Sequence, residues 1–308
     1  MYIVDTHCDT LLARGMHENE FTKDSSPQVT PDRLREGGVT LQVCALFAGS
    51  AGPKGEGRFA PRAVAEAELA AIPQLTDHGI RKVDSPFDAK EGENCLMLSI
   101  EGGEVIGNSL ESLRAFRKLG VRLFSLTWNH ENLIACPHCS DGHLGLKPFG
   151  WEVVRELAAL GIAADVAHLG EGGFWDLIFN AEKPPMTSHS CCRKLRNVTR
   201  NLTDDQIRAL IARDGWIGIN FYTAFLTDAK SCTADTIVDH IVHVGELGGI
   251  GHVGFGSDFD GIDSAPDDVQ NPAQIPNLLN ALARRGFTQT EIEGIAGQNF
   301  LRYFKQFV

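Results

Sequence analysis

The sequence predicts an α/β protein built as a closed (β/α)8 TIM barrel. Three observations carry that prediction. Eight apolar runs are separated, for the most part, by segments with helical spacing, and near-continuous apolar strands alternating with helices mark a parallel sheet covered by helices. A length of 308 residues is long for an ordinary single domain and usual for such a barrel. The turn after the first run, His7-Cys8-Asp9-Thr10, has no glycine, whereas an open doubly wound sheet wants fewer strands and a glycine-rich phosphate turn there.

The first run, Tyr2-Ile3-Val4, turns polar at Asp5-Thr6-His7-Cys8-Asp9. Strand alternation predicts that Asp5, His7 and Asp9 form one row. An imidazole and carboxylates at the end of a buried strand suit a divalent metal. A polar strand end followed by a helix cap is the plainer account of this stretch alone. The further strands expected are Val39–Phe47, Cys95–Ile100, Val121–Trp128, Ile162–Ala167, Pro185–Ser188, Trp216–Tyr222 and His252–Ser257. Each is an apolar run bounded by Gly, Pro or polar residues.

Between them, Ala60–Leu75 is rich in Ala and Glu. Leu110–Leu119, Trp151–Leu160, Phe174–Asn180, Asp204–Arg213 and Ala234–Leu247 place apolar residues three to four apart. Gly120 and Gly161 follow two of these helices where a C-cap wants glycine. Gly49–Phe59 and Ser264–Asn277 are expected as loops, and Thr290–Phe304 as a closing helix packed on the barrel. No composition shift asks for a second domain, so residues 1–308 are expected to form a single catalytic barrel domain.

A net charge of -12 argues against nucleic acid and anionic membrane as partners. No stretch is long and apolar enough for a membrane span. The N-terminal segment lacks a basic region followed by an apolar one, and no apolar C-terminal tail suggests an anchor. A cytoplasmic enzyme with no membrane anchor is the expectation. Eight cysteines in a chain this long do not look like a disulfide scaffold. Cys44 and Cys95 sit in apolar strands. Cys136-Pro137-His138-Cys139, with Cys191 or Cys192, offers thiolates and an imidazole for a further metal or a disulfide. Free thiols are favoured, because no second ligand pair has zinc-finger spacing.

The chemistry collects at the carboxyl ends of the strands, which converge on the active face of a barrel. These ends carry His7 and Asp9, then Glu101, His168, His189 and Asp258. The count suits two metals, one held by His7 and Asp9, the other by His168 and His189, with Glu101 bridging. Asp258 has the type and place of a general acid/base.

Asp-Thr-His7-Cys-Asp9, Ile-Glu101-Gly-Gly, Asp165-Val-Ala-His168, Ser-His189-Ser, Arg200-Asn-Leu-Thr-Asp-Asp, Asn220-Phe-Tyr222, Gly-Ser-Asp258-Phe-Asp-Gly and Ile295-Ala-Gly-Gln-Asn299-Phe-Leu-Arg302 occur in this order. Together they resemble the renal (membrane) dipeptidase family, peptidase family M19, over almost the whole chain. The resemblance implies an amidohydrolase-type barrel with two Zn2+ ions bridged by Glu101 and a hydroxide. It implies hydrolysis of dipeptides, L-Xaa-D-Xaa included, by that bridging hydroxide. It implies that Arg200 grips the substrate's free carboxylate, that Tyr222 helps to hold the substrate, and that a homodimer forms.

There is one departure. The mammalian members carry His where this chain has Trp128, in Leu126-Thr127-Trp128-Asn129. Either His130 supplies an imidazole from the loop, or Trp128 walls the pocket. Lactone hydrolysis or deamination is the rival activity, and a non-catalytic metal-binding barrel the rival class. Many binuclear relatives bridge their metals with a modified lysine on strand four, and Arg122–Trp128 contains none. His17, His78, His143, His240, His243 and His252 are assigned no chemistry.

Overall fold

The computed structural model describes residues 1–15, 27–47, 61–140 and 143–308. His17 and the expected Gly49–Phe59 loop lie outside them. Nine parallel strands form one sheet: β1 Val4–Asp5, β2 Leu41–Phe47, β3 Arg81–Lys82, β4 Cys95–Glu101, β5 Val121–Ser125, β6 Ala163–Asp165, β7 Met186–Ser190, β8 Trp216–Ile219 and β9 Val253–Phe255. β1 pairs with both β2 and β9, and β2 with β4. Eight strands therefore close into a (β/α)8 barrel. The two-residue β3 lies outside the ring, paired with the start of β4.

Alternation sorts the side chains into layers. Along β4, Leu96, Leu98 and Ile100 join the outer core under the helices. Cys95 and Met97 face an inner cluster with Val4, Val43, Leu123, Met186 and Trp216. Two positions further along that inner row stand Ser99 and Glu101. The barrel thus grades from an apolar floor to a polar upper layer. Phe300, Tyr303 and Phe304 of the closing segment belong to the floor cluster, with Phe300 5.2 Å from the Trp216 ring. The expected closing helix is Gln289–Glu293, a π-helical turn at Gly294–Gln298, and Asn299–Phe304.

Several strands end sooner than their apolar runs predict, for a local reason. Asp5 Oδ1 accepts the N–H of His7, Asp165 Oδ1 that of Ala167, Asn220 Oδ1 that of Tyr222, and Ser257 Oγ that of Phe259. Each is a side chain bonding the backbone two residues on, which bends the chain out of the strand. The row expected from Asp5 through Asp9 is therefore broken. Asp5 continues the row of Ile3, which packs in the outer core, and only His7 and Asp9 turn into the site. The expected Ser264–Asn277 loop is also shorter, because a helix begins at Ile275 and runs to Arg284.

Helix ends follow elementary capping. Thr203 and Gln206 form a capping box ahead of Asp204–Ala212, and Gly161 takes the left-handed C-cap of Pro148–Leu160. Among the described residues, no helix is long and apolar enough to cross a membrane.

β9 and β7 approach so closely at Gly256 that a Cβ there would lie 1.8 Å from the Ser188 carbonyl oxygen. Backbone against backbone leaves nothing to repack. Gly256→Ala is expected to destabilise the barrel by about 1–3 kcal/mol, read as a fall of several degrees in Tm. An unchanged Tm would mean that the two strands do not meet this way.

Candidate metal centre

The ends of β1, β4, β6, β7 and β9 bring His7, Asp9, Glu101, His168, His189 and Asp258 together, as their positions in the sequence predict. Three overlapping groups among them could each hold a metal ion: His7, Asp9 and Glu101; Glu101, His168 and His189; and His7, His189 and Asp258. Glu101 divides its two oxygens. Oε1 lies 2.9 Å from His168 Nε2 and 3.4 Å from His189 Nε2, while Oε2 lies 3.5 Å from His7 Nε2. The His7 and His189 rings stack at 3.7 Å, and the Nε2 atoms of His168 and His189 are 3.2 Å apart.

Buried hydrogen bonds aim these groups. The Ser188 hydroxyl donates to Asp165 Oδ2 and lies 2.7 Å from His189 Nδ1. With its one proton given to Asp165, Ser188 accepts from Nδ1–H and leaves the Nε2 lone pair facing the cluster. His168 Nδ1 lies 2.9 Å from Asn129 Oδ1. Asn220 accepts the Tyr222 N–H, so its amide NH2 donates to Asp258 Oδ2 at 2.8 Å. His168 and Asp258 both take left-handed backbone conformations, with φ of 64° and 66°, which cost energy for residues with a side chain.

The protein's own charges do not balance here. Burial, with the Glu101 charge beside it, raises Asp9 well above the usual carboxylate range. Burial and Glu101 also raise Asp258, against the pull of His7, Asn220 and Arg200. Burial lowers His168 to about 4, with Arg200 adding to it, and lowers His189 well below an ordinary imidazole. On Glu101 burial is overcome by the His7 charge and by the close imidazoles of His168 and His189, so its pKa falls well below the ordinary value. His7 Nε2 and Asp9 Oδ1 are buried with no hydrogen-bond partner among the described residues. Orphaned buried polar atoms beside crowded carboxylates and imidazoles fit a divalent cation of the kind that takes nitrogen and oxygen ligands.

Arg200 and Tyr222 stand apart from the cluster and from each other. Arg200 is buried, donates to Ser190 Oγ and the His189 carbonyl, each at 2.8 Å, and leaves Nε unpaired among the described residues. It lines a cavity of about 240 Å³. Tyr222 rims a larger cavity of about 840 Å³, floored by Asp9, Glu101 and Asp258 and walled by Phe47, Trp128 and Phe225. His168 belongs to both cavities. Trp128 therefore walls the pocket, and His130 packs edge-on against it at 5.3 Å.

Arg193 and Arg196 hold backbone carbonyls of their own loop and of Ala224. Cys136, Cys139, Cys191 and Cys192 form no disulfide among the described residues. The sequence alone gives Asn129, Ser188, Asn220 and Gly261 no role, although each stands in one of the motifs quoted above. A Cβ on Gly261 would fall 2.0 Å from Asp9 Oδ2 and 2.8 Å from Asp258 Oδ1.

The chain is similar to several known proteins. The dipeptidase tcpJ of Claviceps purpurea is 31% identical over 303 residues, covering 92% of this chain and 70% of its own length. An uncharacterized dipeptidase of Schizosaccharomyces pombe is 36% identical over 236 residues, 75% of this chain but only 57% of that protein. A Rhodobacter sphaeroides metallo peptidase, solved with a phosphinate mimic of the dipeptide L-Ala-D-Ala, superposes with a TM-score of 0.87 at 22% identity, covering 100% of this chain and 99% of its own. That last likeness is one of fold. The family model of the membrane dipeptidases matches residues 1–308, and the chain belongs to that family, peptidase family M19.

Proposed function

We propose that the protein is a metal-dependent dipeptidase that works with two zinc ions. The observation that carries this reading is the division of Glu101 between His7 on one side and His168 and His189 on the other. His7 and Asp9 would hold one ion, His168 and His189 the second, and Glu101 both. Bound there, zinc polarises a carbonyl and acidifies water near neutral pH.

The chain's own groups supply the rest. Asp258 is held at Oδ2 by Asn220 and faces the cluster with Oδ1, 3.7 Å from His7 Nε2. It takes a proton from the attacking water and returns it to the leaving amine, which makes it general base and then general acid. Arg200 receives the C-terminal carboxylate. Its guanidinium is fixed by two hydrogen bonds and retains a buried, unpaired Nε–H, and a paired guanidinium–carboxylate contact is strong and directional. Longer peptides place no carboxylate at that distance, so the clamp selects dipeptides. Tyr222 closes the rim of the larger cavity over the substrate. The dipeptide mimic held by the Rhodobacter sphaeroides relative supports L-Xaa-D-Xaa dipeptides as substrates. The barrel is read as one catalytic domain over residues 1–308 that acts in the cytoplasm, as a homodimer.

Zinc-reconstituted protein is expected to cleave L,L and L,D dipeptides, followed by ninhydrin detection of the freed amine. Amidation of the substrate's C-terminus should lower kcat/KM about 10–100-fold, the worth of a charge-assisted hydrogen bond. Asp258→Asn should lower kcat about 10²–10⁴-fold. Two zinc ions bound without cleavage of any dipeptide would return lactones and deamination substrates to consideration. Gly261→Ala should displace Asp9 and cost bound metal. Elemental analysis should find fewer zinc ions per chain than in the unaltered protein, and an equal count would contradict the close approach of Gly261 to Asp9.

A further inference from the structure

The segment Cys136–Cys139 binds no metal in the reading above, yet it is stitched to the site. Gly170 N–H donates to the Cys136 carbonyl at 2.9 Å, and His138 N–H to the His168 carbonyl at 2.8 Å. The His138 ring then reaches in two directions. Nε2 lies 3.1 Å from Asn129 Oδ1, and Nδ1 lies 2.9 Å from Thr199 Oγ1. Asn129 Oδ1 is the same oxygen that meets His168 Nδ1 at 2.9 Å.

One assignment of protons satisfies the whole chain of contacts. To offer its Nε2 lone pair, His168 must carry its proton on Nδ1 and donate to Asn129 Oδ1. That oxygen, with two lone pairs, also accepts His138 Nε2–H. A neutral His138 then has a free lone pair on Nδ1, which accepts the Thr199 hydroxyl. The next residue, Arg200, donates to the carbonyl of His189. Residues 199 and 200 therefore reach both histidines that share Glu101 Oε1: His168 through His138 and Asn129, and His189 at its backbone carbonyl.

We propose that His138 and Asn129 are positioning residues, a relay that fixes the orientation and tautomer of His168 and ties it to the Thr199–Arg200 loop. The inference deepens the proposed function and rests on the metal site named there. It gives the Cys-Pro-His-Cys stretch a purpose that needs no thiolate. It also joins the substrate-carboxylate clamp to both ligands of the second ion through a single loop.

The test compares zinc affinities of His138→Ala, His138→Gln and Thr199→Val with the parent, by competition against a chromophoric chelator. Thermal unfolding of each apoprotein confirms that it folds. His138→Ala is expected to weaken one zinc equivalent about 10–100-fold and to leave the other within twofold. His138→Gln keeps an N–H that reaches Asn129 and should restore most of the loss. In dipeptide hydrolysis kcat should fall more than KM rises. Unchanged zinc affinity in folded His138→Ala overturns the relay, and so does a loss that glutamine does not restore. Should the alanine variant fail to fold, Thr199→Val decides. A weakening of about threefold, the scale of one neutral hydrogen bond, supports the relay, and no change overturns it. A protein that binds zinc but cleaves no dipeptide would defeat the dipeptidase reading and leave the affinity comparison intact.

Discussion

Glu101 lies at the bottom of the cavity within reach of three imidazoles from three other strands. Taking a carboxylate out of water costs several kcal/mol unless compensating groups are held in good geometry. That demand propagates outward. Each imidazole must present the correct nitrogen, and each nitrogen needs a partner on its far side. Asp165 and Ser188 serve His189, and Asn129 serves His168. The polar upper layer of the barrel is this set of supports. A half-satisfied buried network would be worse than an apolar core, and two of the atoms this layer leaves open, His7 Nε2 and Asp9 Oδ1, lie in the candidate metal cluster.

The strands are shaped by the same requirement. Asp5 accepts bonds from Ser257, the residue before Asp258, and Asp165 accepts bonds from Ser188, the residue before His189. In both cases a carboxylate on a neighbouring strand pins the position beside a group that faces the cavity. These carboxylates also end their own strands by capturing a nearby N–H. The site thus dictates where strand becomes loop. Glycine at positions 256 and 261 lets backbone and carboxylates come close enough for the arrangement to close.

The sequence was most legible where chemistry and periodicity coincide. Glu101 and His189 directly follow the expected strands Cys95–Ile100 and Pro185–Ser188, so both could be placed at strand ends on the active face. Alternation misled at Asp5, because a two-residue side-chain turn reverses the expected row and leaves no trace in hydrophobicity. It also ran past the ends of β5, β6 and β8, where residues beyond the strand remain buried for reasons of the site. The helix Ile275–Arg284 was partly hidden because Pro272 and Pro276 flank its start and read as loop. Arg200 was recognisable only through its family motif, since a loop arginine has no period. The contacts of His138 depend on three segments far apart in sequence, and no local pattern announces them.

The closure of the ring bears on how the molecule assembles. Ser257 meets Asp5 across 252 residues of chain, and β1 is completed only when β9 arrives on its free side. Contacts of such separation form slowly, because loop entropy must be overcome before they contribute. His7 and Asp9 precede every other strand of the ring, yet they meet Asp258 only after seven other ring strands have been laid down. Until then the carboxylates have no shared cavity and stay hydrated. The metal-binding arrangement is thus a late product of folding, and the rest of the barrel must be in register before its ligands converge.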